Sequence, residues 1–332
     1  MNAAVIGSGG WGTALAMQLY KNGHRVALWS HNEQKAEQMR ISRENPMLPG
    51  ICLPEDMVIT GDDACVADCD LIVIACPSVH IADVCRRIAG HIPPKAVVVS
   101  VTKGVDYTSL KRMTQIVEDI TGKQAVALTG PSHAEEVARS IPTGCLAACR
   151  EKAMAEFVQD AFMSDTFRVY ISPDVVGAEL GGALKNVIAL CAGVVEGFGY
   201  GDNTGAMLAT RGLTEIARLG VAMGAQKETF AGLAGVGDLI VTCTSRHSRN
   251  RRAGVLIGRG VPVKAAMEQV GAVVEGYYAT RSAMALAERY QVDMPITRAA
   301  YEVLYRNTPV SQVVHELLLR QRRPESEDVG WH

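Results

Sequence analysis

Short apolar runs alternate with amphipathic segments in the first half of the chain, a pattern that predicts strands alternating with helices. The runs are rich in Val, Ile, Leu and Ala. They occupy positions 3–6, 25–30, 71–75, 96–100, 125–129, 143–148 and 167–170. Such alternation is typical of a doubly wound parallel sheet, so the sequence predicts an α/β N-terminal domain of Rossmann type.

The pattern changes near residue 173, after which no further strand is predicted. Apolar positions then recur at helical spacing as far as Val313 and Leu317. We therefore expect an all-helical C-terminal domain. The predicted division is a dinucleotide-binding domain at 1–173, a helical substrate and catalytic domain at 174–322, and a polar tail at 323–332.

Three glycines follow the first strand with the spacing of a dinucleotide fingerprint. Gly7, Gly9 and Gly12 stand between an apolar strand and an amphipathic helix. In this context one glycine makes the tight turn, one lets the backbone approach a pyrophosphate, and one allows close packing of helix on strand. The sequence predicts that NAD or NADP binds here, with its phosphates at the helix N-terminus.

The second strand ends at His31 and Asn32, where NAD-selective sites usually carry an acidic residue for the ribose hydroxyls. Without that acid, a 2′-phosphate is not repelled, and His31, Asn32 and Lys35 are able to contact one. We therefore expect both NADH and NADPH to bind.

Lys185 lies in a largely apolar helical run, with Gly181 and Gly182 one turn before it. A lysine stem on core surface with its ammonium in water is the simpler interpretation. Burial would instead lower the pKa of the ammonium into the range useful for proton transfer, which makes Lys185 a candidate acid and base. The two glycines are expected to leave room for a substrate beside the amine.

Polar residues follow two later strands at the sheet edge where ligands bind in open α/β folds. Lys103 ends one strand, and Gly130 and Ser132 follow the next. Ser132 and Glu135 have the spacing of a capping box, which predicts a helix N-terminus facing the same cleft.

A third polar cluster lies in the helical half. Asp238 is placed in an apolar, glycine-flanked stretch, so we expect it to hydrogen-bond Lys185, Thr242 or a ligand hydroxyl. The segment from Ser248 to Arg252 supplies hydroxyl, amide and guanidinium donors at a predicted helix start. These groups suit a phosphate monoester, although a solvated helix start explains them equally well.

Composition limits the possible partners. The chain has 332 residues and a formal net charge of −2, which argues against nucleic-acid binding. No signal peptide is apparent and no apolar run is expected to reach the length of a membrane span, so we expect a cytoplasmic protein. The nine cysteines show no CxxC spacing. We therefore expect neither a disulfide framework nor a metal site.

Several of these segments, in this order and spacing, resemble bacterial NAD(P)-dependent sn-glycerol-3-phosphate dehydrogenases. The matching segments are GSGGWGTA at 7–14, SVTKG at 100–104, LTGPSHA at 128–134, GGALKN at 181–186, GDL at 237–239, SRN at 248–250 and VVEG at 273–276. The resemblance implies reversible reduction of dihydroxyacetone phosphate to sn-glycerol 3-phosphate for glycerophospholipid synthesis. We also expect a homodimer.

The resemblance also implies roles for individual residues. Lys185 would be the proton donor and acceptor, assisted by Lys103 and Asp238. The expected cofactor contacts are Gly7, Gly9, Gly10, Trp11, Gly12, His31, Asn32, Lys103, Ala134, Arg249, Val273 and Glu275. The expected substrate contacts are Lys103, Gly130, Ser132, Lys185, Asp238, Thr242, Ser248, Arg249 and Asn250.

The chain departs from the family pattern at two positions: Gly10 replaces a common serine, and Asn32 stands where an arginine often grips the 2′-phosphate. Two alternative functions remain open on the residues alone. A hydroxyacid or 6-phosphogluconate type of dehydrogenase would act on a carboxylate substrate. A non-catalytic dinucleotide sensor would keep the glycines without needing Lys103, Lys185 and Asp238 together.

Overall fold

An eight-stranded sheet forms the N-terminal half of the computed structural model, which describes residues 1–322, 324 and 325. The spatial order is β3-β2-β1-β4-β5-β6-β7-β8. The strands are β1 (Asn2–Ile6), β2 (Arg25–Trp29), β3 (Val58–Thr60), β4 (Leu71–Ile74), β5 (Val97–Ser100), β6 (Ala125–Thr129), β7 (Thr143–Ala148) and β8 (Phe167–Ser172). The predicted Rossmann-type fold class is confirmed.

The first six strands are parallel, but β7 pairs with β6 antiparallel and β8 follows the direction of β7. The predicted parallel sheet therefore carries one antiparallel pair at this edge. The helix between β6 and β7 has only five residues and spans about 7.5 Å, too little to carry the chain back along the sheet. The sequence also missed β3, a three-residue strand at the other edge.

Within the described residues, six α-helices accompany the sheet and eight follow it. The first group is α1 (Gly10–Lys21), α2 (Glu33–Ser42), α3 (Ile81–Ile88), α4 (Met113–Thr121), α5 (Ala134–Ala138) and α6 (Lys152–Phe162). The second is α7 (Val175–Gly197), α8 (Asp202–Ala222), α9 (Asp238–Thr244), α10 (Arg249–Gly258), α11 (Val263–Val270), α12 (Glu275–Arg289), α13 (Pro295–Arg306) and α14 (Val310–Leu318). Beyond Ser172 the described residues contain no strand. The predicted tail at 323–332 lies outside the described residues except for 324 and 325.

Helix α7 is the centre of the helical half and packs on α10 at backbone contact. A Cβ on Gly254 would lie 2.0 Å from the carbonyl oxygen of Leu190, and one on Gly193 would lie 2.1 Å from that of Arg251. Only glycine permits this approach, which brings the start of α10 to the middle of α7.

The same helix is long and apolar enough to cross a membrane by length and composition, contrary to the expectation that no such run exists. Of its most apolar 18-residue window, 78% is buried inside the protein. Core helices pass the same test of hydropathy, because a helix that is apolar on all sides can be covered by protein instead of lipid.

A buried ion pair joins α7 to the sheet half. Glu179 accepts hydrogen bonds from Arg112 Nη1, from the backbone N–H of Thr114 at 2.8 Å and from Thr114 Oγ1 at 2.6 Å. These three donors occupy the beginning of α4, so the carboxylate fixes α7 against that helix end. This contact places the middle of α7 over the carboxyl edge of the sheet.

Candidate active site

A buried carboxylate bridges two ammonium groups where the sheet meets the helical half. Asp238, 1% exposed, accepts from Lys185 Nζ through Oδ1 and from Lys103 Nζ through Oδ2, the latter over 2.8 Å. Lys185 Nζ also donates to Thr242 Oγ1 at 2.7 Å, and Lys103 Nζ donates to the carbonyl oxygen of Gly130 at 2.9 Å. The fold thus brings together five of the predicted site residues.

Burial lowers the pKa of Lys185 from 10.5 to about 7. The charge of Asp238 raises this pKa and the charge of Lys103 lowers it, so the two neighbours oppose each other. Ammonium and amine are therefore both accessible near neutral pH, as a group that gives and takes a proton requires.

The glycines before Lys185 make room for protein atoms, and the expectation that they leave room for a substrate was wrong. A Cβ on Gly182 would lie 2.5 Å from Thr129 Oγ1, and one on Gly181 would lie 2.4 Å from the carbonyl oxygen of Ala234. Helix α7 can therefore approach the end of β6 and the chain that leads to α9. This close approach carries Lys185 to Asp238.

Asp238 reaches the lysines through an irregular turn. The π-helix Leu233–Gly237 runs directly into α9, and a Cβ on Gly235 would lie 2.0 Å from the carbonyl oxygen of Phe230. Thr242 Oγ1 donates to the backbone carbonyl oxygen of Asp238 at 2.6 Å. One turn of α9 therefore presents both partners of Lys185.

The start of α10 lies beside this cluster and joins α7 to α12. Ser248 caps α10, with its Oγ accepting from the N–H of Arg251 at 3.2 Å. Asn250 Nδ2 donates 2.9 Å to Asn186 Oδ1, and the N–H of Gly276 donates 2.8 Å to Asn250 Oδ1. Part of the hydrogen-bonding capacity of Asn250 is thus used within the protein. One of its partners, Asn186, is next to Lys185 in sequence.

The capping box predicted for Ser132 and Glu135 was wrong. Helix α5 begins at Ala134 with His133 as its N-cap, so Ser132 lies one position too early to cap it. Ser132 Oγ instead donates 2.9 Å to the carbonyl oxygen of Gly130, the same oxygen that Lys103 contacts.

The fingerprint glycines adopt the geometry that a pyrophosphate needs. Gly7 has φ +133°, and a Cβ on Gly12 would lie 1.9 Å from the carbonyl oxygen of Gly7. Apart from the glycine and its chain neighbours, no described atom lies within 4 Å of a Cβ built on Gly9, and α1 has neither a side-chain cap nor an acidic residue in its first turn. The buried Trp11 Nε1 likewise lacks a hydrogen-bond partner among the described residues. The donors at this helix start therefore fit a dinucleotide phosphate.

The start of α1 is closely approached by other parts of the chain at Gly10. A Cβ at this position would lie 3.2 Å from the carbonyl oxygen of Met47 and 3.6 Å from the Cβ of Ala134. The loop after α2 thus closes tightly on the start of α1. Ala134, another expected cofactor contact, lies at the same place.

At the end of β2, Asn32 is the N-cap of α2, and its Oδ1 accepts from the N–H of Lys35 at 3.2 Å. Its amide Nδ2 remains a donor. Burial, followed by the charge of Lys35, lowers the pKa of His31, which favours the neutral ring. A 2′-phosphate would therefore meet the charge of Lys35 and neutral donors.

Glu275 is the first residue of α12 and contacts the sheet half. Its Oε1 accepts from the N–H of Ser78 at 3.1 Å and its Oε2 from Ser78 Oγ at 2.6 Å. Val273, two residues earlier, is half-buried and precedes the helix start.

Comparison with known proteins identifies this arrangement. Sequence profiles described as NAD-dependent glycerol-3-phosphate dehydrogenase N-terminus and C-terminus match residues 2–155 and 174–315. The chain belongs to this family. The predicted resemblance to bacterial NAD(P)-dependent glycerol-3-phosphate dehydrogenases is confirmed. So are the oxidoreductase class and the use of NAD(P).

Individual relatives are similar over nearly their whole length. Glycerol-3-phosphate dehydrogenase [NAD(P)+] from Fusobacterium nucleatum is 47% identical over 97% of this chain and 98% of its own. The enzyme of the same name from Desulfitobacterium hafniense is 48% identical over 98% of this chain and 94% of its own. The crystal structure of glycerol-3-phosphate dehydrogenase from Coxiella burnetii superposes with a TM-score of 0.92 at 35% identity, covering 96% and 99% of the two chains.

The site of this glycerol-3-phosphate dehydrogenase family member also includes polar residues to which the sequence assigned no role. Thr129 Oγ1 and His133 Nε2 are buried and have no hydrogen-bond partner within the described part of the chain. Ser78 is buried against Glu275. The available signal was position, at the end of a strand for Thr129 and after a strand for Ser78, but many such residues are structural.

All nine cysteines of this dehydrogenase are unpaired. Burial raises the thiol pKa of seven of them to about 11 or 12. These seven are Cys65, Cys69, Cys76, Cys85, Cys145, Cys191 and Cys243. Within the described residues, no group of three or more His, Cys, Asp or Glu side chains could hold a metal ion. These thiols are thus protonated near neutral pH and act as small core residues.

Proposed function

We propose that this enzyme reversibly reduces dihydroxyacetone phosphate to sn-glycerol 3-phosphate, using NADH or NADPH. The observation that carries the proposal is Lys185, buried among Asp238, Thr242 and Lys103 with a pKa of about 7. Membership of the glycerol-3-phosphate dehydrogenase family supports the substrate. The product would supply glycerophospholipid synthesis.

The reduced nicotinamide, when bound, supplies a hydride to the ketone carbon. Lys185 donates the balancing proton from Nζ to the developing alkoxide oxygen and is left as a neutral amine, which its pKa permits. Lys103 stabilises the negative charge on that oxygen. Asp238 orients both ammonium groups through its two oxygens.

The phosphate of the substrate would lie at the start of α10. Ser248 and the exposed guanidinium of Arg249 are available there, together with the helix N-terminus. Ser132 and Asn250 flank this place and would orient the substrate, and Gly130 and Thr242 would complete the contacts. Gly7, Gly9, Gly10, Trp11 and Gly12 would hold the pyrophosphate.

Turnover with defined substrates tests the proposal. We expect the protein to oxidise NADH and NADPH with dihydroxyacetone phosphate, and to act poorly on unphosphorylated dihydroxyacetone and on 6-phosphogluconate. Lys185→Ala should abolish turnover while NADH still binds, because the lysine does not belong to the fingerprint. Normal turnover by a folded Lys185→Ala protein would rule out this mechanism. Wild-type turnover of only the carboxylate substrate would assign a different dehydrogenase.

We also propose a cytoplasmic homodimer. The unpaired thiols suit a reducing compartment. Phe198, Tyr200 and Met207 expose apolar surface around the turn from α7 to α8, where a second copy could pack. Light scattering coupled to size-exclusion chromatography would show twice the monomer mass, and a monomer would contradict this assignment.

A further inference from the structure

The two halves of the enzyme meet at a polar contact beside Lys103. Ser78 follows β4 in the sheet half, and Glu275 begins α12 in the helical half. Ser78 donates twice, from its N–H to Oε1 at 3.1 Å and from its Oγ to Oε2 at 2.6 Å. Both carboxylate oxygens are therefore held by one residue, which fixes the plane of the carboxylate.

Gly104 has no side chain at the point where this contact forms. A Cβ there would lie 2.5 Å from the Cβ of Ser78, 3.0 Å from its Oγ and 3.8 Å from Glu275 Oε2. The backbone after Lys103 thus packs directly on the contact. Ser78 and Glu275 lie a few ångströms from the residue that is next to Lys103 in sequence.

Ser78 also influences the charge of Glu275. Burial raises the pKa of this carboxyl, whereas both hydrogen bonds from Ser78 lower it. The other titratable groups facing Glu275 are Arg249 and His80, which also lower this pKa, and the thiol of Cys76. The hydrogen bonds from Ser78 therefore favour the ionised form of this half-buried carboxyl.

The place of Glu275 indicates the group that it would meet. Carboxylates in dinucleotide sites accept hydrogen bonds from ribose hydroxyls, and each oxygen of Glu275 keeps a lone pair beyond the one that Ser78 uses. The adenine ribose belongs at the end of β2, near His31 and Asn32. Glu275 lies instead beside Gly104, at the end of the site where hydride transfer occurs.

We propose that Ser78 is a positioning residue that orients Glu275, so that its carboxylate accepts the ribose hydroxyls of the nicotinamide nucleoside. This inference rests on the proposed function, since it assumes that a nicotinamide dinucleotide occupies the cleft. Gly276 follows Glu275 directly, and its N–H donates to Asn250 Oδ1. Asn250 Nδ2 in turn donates to Asn186 Oδ1. Gly276 and Asn250 thus connect the proposed cofactor contact, Glu275, to the helix that carries Lys185.

Titration of the full-length protein with NADH, without substrate and over a series of pH values, tests the inference. Ser78→Ala should weaken NADH binding about tenfold at neutral pH, equivalent to ~1.4 kcal/mol. Binding should also be lost at a higher pH than in the wild type as the solution is acidified, because the pKa of Glu275 rises further without the Ser78 hydroxyl. In turnover, the KM for NADH should rise while kcat stays within about twofold.

Ser282→Ala is the matched control, because Ser282 Oγ makes another buried contact between the halves, to the carbonyl oxygen of Val105 at 2.8 Å. It should lower the Tm without changing the Kd for NADH or its pH dependence. Glu275→Gln should weaken binding and remove this part of the pH dependence, and adding Ser78→Ala to it should have little further effect. If Ser78→Ala fails to fold, Gly104→Ala displaces the hydroxyl and should also weaken binding.

Two results would overturn the inference. In one, Ser78→Ala lowers the Tm as Ser282→Ala does but keeps the wild-type Kd and pH dependence. In the other, Ser78→Ala and Glu275→Gln weaken NADH binding additively. Neither measurement includes dihydroxyacetone phosphate, so a failure of the proposed reaction would be seen separately, in the turnover assay.

Discussion

At the scale of single residues, the site depends on how Asp238 divides its charge between Lys103 and Lys185. A buried ammonium with a single carboxylate would be held strongly in its charged state. The second ammonium offsets that effect, and burial then brings the pKa of Lys185 to about 7. The ammonium that donates the proton in reduction and the amine that accepts it in oxidation are both available at neutral pH.

This balance predicts opposite pH dependences for the two directions. Reduction needs the ammonium of Lys185 and should decline above about pH 7, whereas oxidation needs the amine and should decline below it. Lys103→Met should move both limbs to higher pH, because the charge that lowers the pKa of Lys185 is removed, and kcat/KM should fall by at least about tenfold. Lys152→Met, on the exposed face of α6, is the control. Unshifted limbs in Lys103→Met would show that another group titrates.

Cofactor preference is also decided at single residues. Since no arginine stands at position 32 and Lys35 is the charged donor expected for a 2′-phosphate, kcat/KM for NADH and NADPH should agree within roughly tenfold, about 1.4 kcal/mol. Asn32→Arg should favour NADPH but remove the cap of α2, at a cost of about 1 kcal/mol in unfolding free energy. Asn32→Asp should keep the cap and favour NADH. Steady-state kinetics with both cofactors and denaturant unfolding measure the two effects; a preference unchanged in both variants would place phosphate recognition elsewhere.

At the scale of elements, the site depends on the approach of α10 to α7. The glycines of both helices bring the backbones into contact, and the start of α10 then lies beside Asn186 and Lys185. The π-helix before α9 has a comparable role for Asp238. Helix packing thus sets the distances within the site.

Gly254→Ala tests this packing. Its Cβ would lie 2.0 Å from the carbonyl oxygen of Leu190, so the helices must separate. We expect a loss of about 3 kcal/mol or more in unfolding free energy and a higher KM for dihydroxyacetone phosphate. Gly205→Ala in α8, where no described atom lies within 4 Å of the new Cβ, should instead stabilise the protein by up to ~1 kcal/mol. Equal stability of the two variants would contradict the role given to α10.

At the scale of the whole molecule, buried polar contacts hold the two halves in one arrangement. Glu179 binds α7 to the start of α4, while Ser78 and Glu275 join the halves at the cleft. The proposed substrate and cofactor contacts come from both halves. Their relative position is therefore as important for the chemistry as the residues themselves.

Removal of the Glu179 carboxylate should lower the stability of the protein. Glu179→Ala would leave the buried guanidinium of Arg112 without its partner, with an expected loss of about 3–5 kcal/mol. Glu156→Ala breaks an exposed pair with Lys152 on α6 and should cost no more than ~0.5 kcal/mol. Denaturant unfolding of both variants compares the two contacts. A small effect of Glu179→Ala would mean that apolar packing alone orients the halves.

The sequence by itself determined the fold class, the dinucleotide fingerprint and the family, because these follow from local periodicity and from motifs within short segments. It also indicated Lys185 and Asp238, since a charge in an apolar run requires an explanation. Only the tertiary structure decided which charges meet at Asp238, that Gly181 and Gly182 serve packing, and that Ser132 caps no helix. These outcomes depend on contacts between residues far apart in the chain, such as Lys103 and Asp238, and local pattern carries no information about such distances.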